Sequence, residues 1–101
     1  MAKIIVRNSD NNVQVLVPNS SDVTLTDTEC TYVKASGIRT TAIDINSTTH
    51  TLIEDVTEPT KFYPNCFTYI DGTWAIIDGV LDSINKGREL YDIPALEIAV
   101  V

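Results

Sequence analysis

The residues best suited to chemistry are few and far apart. His50 is the one histidine, and Cys30 and Cys66 are the two cysteines, in a chain of 101 residues. A zinc site needs several such ligands converging on one point. The cysteines lie 36 positions apart with no Cys-x-x-Cys pair, so no zinc site is expected. Nucleophilic catalysis would need Cys66 with His50 as its base. In a strand-rich chain these two read instead as a core thiol and a loop imidazole. Asp10, Asn11 and Asn12 offer oxygen ligands, but no glycine and acid follow at the spacing of a calcium loop. That run reads as a polar hairpin loop. Glu54, Asp55 and Glu58 sit close together as acids do at a solvated loop edge, without the marks of a glycosidase pair. The sequence holds no P-loop, no Gly-x-Gly-x-x-Gly and no Gly-x-Ser-x-Gly. The expectation is a protein without catalytic residues, cofactor or metal.

The aromatic residues are the next candidates. Phe62, Tyr63, Phe67, Tyr69 and Trp74 place five of the seven aromatics within thirteen residues. Such a group could be a stacking platform for sugars or bases. Alternation along a hairpin favours a cross-strand cluster that anchors a small core.

The elements that must carry these residues are mostly strands. Threonine, valine and isoleucine dominate, and branching at Cβ suits a pleated strand better than a helix. Lys3–Arg7 and Val13–Val17 flank a polar loop, Asn8 to Asn12, and predict an N-terminal hairpin. Val13, Val15 and Val17 alternate with Gln14 and Leu16 and give that second strand a strong face. Val23–Thr26, Cys30–Ala35, Arg39–Ile45 and Thr49–Asp55 read as further short strands between turn clusters. Phe67-Thr68-Tyr69-Ile70, then Asp71-Gly72, then Thr73-Trp74-Ala75-Ile76-Ile77 predicts a hairpin closed by a type I′ turn. Asp78-Gly79 repeats the turn signal. It predicts either a third meander strand to about residue 84 or a short helix over Val80–Tyr91, with Val80, Leu81, Ile84 and Tyr91 on one face. Leu96–Val101 is apolar and reads as a final strand. The predicted fold is a single all-β domain over 1–101. It is an antiparallel sandwich or partly open barrel of short strands, with at most one short helix near 80–91.

Charge narrows the partners. Residues 1–40 balance four basic against four acidic side chains, and residues 41–101 hold three basic against ten acidic ones. The whole net charge of −7 therefore falls in the C-terminal part. Such a surface repels a phosphate backbone and an anionic membrane, so neither nucleic acid nor membrane is an expected partner. The apolar run Ile4–Val6 is too short for a signal h-region. The expected place of synthesis is the cytoplasm, without a signal peptide.

The stretch Pro59 to Asp78, with Tyr69-Ile70-Asp71-Gly72-Thr73-Trp74 at its centre, resembles small proteins encoded among bacteriophage structural and tail genes. These carry a proline-flanked approach to a Tyr-x-Asp-Gly-x-Trp hairpin. The resemblance covers about twenty residues. It implies a virion or virion-assembly component and brings no enzymatic residues with it.

Strand edges point the same way. A small all-β domain leaves backbone groups open along its edges unless the sheet closes. A terminal strand can add to a neighbour's sheet, which makes Leu96, Ile98, Val100 and Val101 candidate subunit contacts. The competing arrangement is that this strand completes its own domain. Tyr69, Asp71, Gly72 and Trp74 are the expected structural hairpin. The expected function is a non-enzymatic structural protein, such as a tail, neck or capsid-decorating subunit, that forms a homo-oligomer or docks on other virion proteins. Two other readings remain: an acidic inhibitor that mimics nucleic acid, and a carbohydrate-binding module using the aromatics.

Overall fold

The computed structural model describes residues 1–101. Eight strands and one helix follow in order: β1 (Ala2–Arg7), β2 (Val13–Pro18), β3 (Val23–Leu25), β4 (Cys30–Val33), β5 (Arg39–Ala42), β6 (His50–Val56), β7 (Phe67–Ile70), β8 (Thr73–Ile76) and α1 (Val80–Leu90). They form three small antiparallel sheets, ordered β2-β1-β6, β3-β4-β5 and β7-β8. The fold is mostly β, as the patterning predicts, and none of the sheets closes into a barrel.

The β1 strand organises the rest, because both of its faces are buried. Ile4 and Val6 point into one cluster with Val13, Val56, Cys66 and Phe67. Ile5 points the other way, into a second cluster with Val15, Val17, Cys30 and Ile45. Alternation along a pleated strand requires this split. The β3-β4-β5 sheet covers the second cluster through Val23, Leu25, Tyr32 and Ala42. The first is covered by the β7-β8 hairpin, α1 and the C-terminal segment, through Trp74, Val80, Ile84, Ile98 and Val100 among others.

Two bulges shape the central sheet. The register shifts between Ile5↔Val15 and Val6↔Val13, so Gln14 is an extra residue on β2. The valines of β2 therefore do not share one face, contrary to the alternation in the sequence. Val13 joins the first cluster, while Val15 and Val17 stay in the second. One inserted residue exchanges the faces of a strand. On the other edge, Ala2 pairs with Val56 and Ile4 with Ile53, which leaves an extra residue on β6. Asp55 takes a positive φ of 57° there. The Asn19 side chain holds it from both sides: its Nδ2 donates to Asp55 Oδ1 at 2.8 Å, and Asp55 N donates to Asn19 Oδ1 at 3.1 Å.

Three local expectations change. The third meander strand does not form, and the helix takes Val80–Leu90. Gly79, at φ 79°, turns the chain, and Ser83 N donates to Gly79 O. Val80 and Ile84 then reach the first cluster, whereas Tyr91 lies past the helix end and is exposed. Asp82 in the first turn and Arg88 in the last complement the helix dipole. The fifth strand stops at Ala42, so Ile43 is exposed, and Ile45 reaches the second cluster from the following turn. The segment Leu96–Val101 is not a full strand. It makes a single bridge, Ala99 to Lys61, with backbone bonds of 3.0 and 3.1 Å, and Thr60 N donates to Val100 O at 3.1 Å.

Candidate functional site

The Tyr-x-Asp-Gly-x-Trp hairpin is where the predicted aromatic residues meet. Ile70 pairs directly with Thr73, leaving Asp71-Gly72 as a two-residue loop. Asp71 has φ 48° and Gly72 φ 82°, the two positive values that a type I′ turn needs. The turn puts Tyr69 opposite Trp74, with ring centroids 5.1 Å apart and planes at 65°. Phe67 meets Trp74 edge-on at 5.6 Å and stacks on Phe62 at 5.7 Å. The Trp74 indole Nε1 donates to Thr57 O at 2.8 Å. These contacts weld the hairpin to the segment that follows β6. Phe67 is fully buried, Phe62, Tyr69 and Trp74 are half-buried, and Tyr63 stays outside the ring network. Trp74 thus meets three rings edge-on, while Phe62 and Phe67 stack on each other.

Beside the hairpin lies a cleft of about 450 Å³, bounded by Tyr69, Trp74, Asp55, Glu58, Val100 and Val101. The β6 bulge supplies Asp55, the hairpin supplies the rings, and the C-terminal segment supplies the two valines. Both carboxylates of this cleft already have partners: Asp55 Oδ1 accepts from Asn19 Nδ2, and Glu58 lies 3.9 Å from the Met1 amino group. Asp71 lines a second cleft instead, with Asn8, Asn11 and Thr51. The four candidate contact residues of the tail have separate surroundings. Ile98 and Val100 pack on the first cluster. Leu96 is clamped by Asn85, whose Nδ2 donates to Leu96 O at 3.2 Å and whose Oδ1 accepts from Leu96 N at 2.7 Å. Val101 is fully exposed. Lys61 pairs with Glu97, which holds that carboxyl below its ordinary pKa.

His50 and Cys66 are not brought into contact as base and nucleophile. The His50 ring is buried, with Nε2 at 2.6 Å from Gln14 Oε1 and Nδ1 at 2.6 Å from Thr49 Oγ1. A neutral ring suits this setting, with Nε2–H donating to Gln14 and Nδ1 accepting the Thr49 hydroxyl proton, which is then not free for Asn46 Oδ1 at 3.2 Å. Burial first, and the nearby Arg7 charge second, lower its pKa. Cys66 is buried in the first cluster and Cys30 in the second, and burial raises both thiols above their ordinary range. Asp10 is engaged by Arg7, at 3.0 Å to Nε and 2.6 Å to Nη2, and its Oδ1 accepts from Asn12 N at 3.2 Å. The hydrogen bond from Arg7 holds this carboxyl below its ordinary pKa.

Sequence reasoning missed the paired roles of Gln14, Asn19 and Asn85. The Gln14–His50 and Asn19–Asp55 pairs each join residues 36 positions apart, which no local pattern reveals. A glutamine inside an otherwise apolar strand was the one visible signal.

The chain matches no family model, and no curated protein or solved structure matches it. No helix is long and apolar enough to cross a membrane.

Proposed function

We propose that this is a non-enzymatic structural or interaction protein, a phage virion component of the tail, neck or capsid-decorating kind, which self-assembles or docks on a larger assembly. The observation that carries this reading is the apolar surface at the end of α1. Leu90 is 82%, Tyr91 78% and Ile93 49% exposed, all within four residues. Contiguous exposed apolar patches beyond a few hundred Å² mark interaction sites, and these neighbouring side chains at the helix end are the candidate for one. The chemically capable side chains point the same way by being held in structural roles. His50 is tied to Gln14 and Thr49, and both thiols are packed in cores. The hairpin that carries the phage resemblance, Tyr69 to Trp74, serves here as a structural weld.

Light scattering of the purified protein over a range of concentrations tests the reading. A defined oligomer is expected, weakened when Leu90, Tyr91 and Ile93 are changed together to serine. These changes leave Ile98 and Val100, which pack on their own core, in place. A protein that stays monomeric, and does not co-purify with virion particles, contradicts the proposal. Capture by a basic partner only, lost as salt is raised, favours the nucleic-acid mimic instead.

A further inference from the structure

The two edges of the central sheet are protected very differently. On the β6 edge lie Glu54, Asp55 and a bulge with positive φ, devices that keep another strand from pairing. The β2 edge, Val-Gln-Val-Leu-Val-Pro, has no charged side chain along its length. Asn65 N donates to Val13 O at one end of it, and Pro18 closes the other. Between them the edge is open. Asn19 N donates to Met1 O at the end of the hairpin, which fixes the alternation of the ladder. Val17 and Val15 then bond inward, to Lys3 and Ile5, and Leu16 turns both its N–H and its C=O outward.

This open edge is the floor of a groove of about 270 Å³. Leu16 and Phe62, which pack on the first cluster, and Tyr32, which packs on the second, line it together with Pro64 and Ala35. The groove thus lies at the seam between the two cores. Its only charged lining side chain is Lys34, which makes no salt bridge, in a chain of net charge −7.

We propose that the β2 edge takes up an extended segment of another protein, apolar on both faces and carrying a carboxylate to meet Lys34. Strand addition fits each part of the groove. Leu16 supplies two main-chain bonds, successive side chains of the incoming strand fall on opposite faces, and Lys34 favours an acidic partner. This deepens the assembly reading and rests on it, since it names one seat through which docking would occur.

The probe is a capped octapeptide, Ser-Glu-Val-Ile-Val-Ile-Ser-Ser, titrated into the full chain labelled with ¹⁵N. The amide signals of Gln14 and Leu16 are expected to shift, with those of Lys34 and Ala35. N-methylation of alternate peptide bonds, in the register that faces Leu16, weakens binding about fivefold by removing one main-chain bond. Lys34→Glu, at an exposed position, weakens it about threefold or more. Unchanged spectra at millimolar peptide overturn the proposal, as does equal binding by the N-methylated peptide. If the same amides shift with protein concentration in the absence of peptide, the occupant is a second copy and a separate partner is overturned. A defined oligomer whose β2 amides ignore the peptide removes this seat but leaves the assembly reading standing.

Discussion

The two cores on either side of β1 are built on different plans. The first holds Phe67 and Cys66 and is roofed by crossed aromatic rings, a helix and the C-terminal segment, all drawn from the second half of the chain. The second is aliphatic apart from Cys30 and Tyr32, and its roof is a sheet of strands three to four residues long. Aromatic rings bury more surface per residue than valine or threonine, and their edge-to-face contacts add to that burial. Only 15 of 101 residues are buried, so neither core is large, and the aromatic one should set the stability of the whole. Dividing a small chain between two cores also explains why so many apolar side chains remain outside.

The sharpest way to break this comparison is Phe67→Ala. Removal of a fully buried ring costs about 3–5 kcal/mol, a large part of the stability of a small domain. Denaturant unfolding followed by the fluorescence of Trp74, the single tryptophan, should show the midpoint collapse. Cys30→Ser probes the other core. A hydroxyl buried without a partner costs about 1–3 kcal/mol, a smaller shift in the same experiment. An effect of Cys30→Ser equal to that of Phe67→Ala would erase the distinction between the cores. Gly72→Ala comes next. Its φ of 82° is strained for any residue with a Cβ, and a loss of about 1–2 kcal/mol is expected from the same unfolding curves. The smallest effect concerns His50. Its pKa is lowered in the folded chain, so the unfolded chain takes up the proton first. The stability it contributes is present above its ordinary value of 6.5 and is lost as the pH falls below that value. Thermal unfolding from pH 7.5 to 5.5 should show this slope, and His50→Gln should flatten it.

What could be read from the sequence was the local part. Asp71-Gly72 between two apolar runs fixes its own turn, because the two φ values are set by those two residues. Branched residues in short runs announced strands, and the polar loop Asn8 to Asn12 announced the first hairpin. The non-local part was hidden. Val13, Val15 and Val17 look like one face, and only pairing with β1 reveals that Gln14 is extra and that Val13 turns the other way. The helix over 80–90 competed with a strand until the first core offered a place for Val80 and Ile84. The tail reads as a strand from its composition, yet pairing with Lys61 and packing on the first core keep most of it within its own domain. Of the candidate site, the hairpin was legible. The cleft that joins it to Asp55 and Glu58, and the open β2 edge, depend on contacts that the sequence does not spell out.

Native-state hydrogen exchange across the chain tests the shared strand and its neighbour's open edge together. With β1 buried between two cores, the amides of Ile4 and Ile5 should be among the slowest to exchange, while Leu16, one strand away, exchanges freely through its outward N–H. Protection of Leu16 equal to that of β1, or β1 amides as fast as those of β3 to β5, would contradict this arrangement.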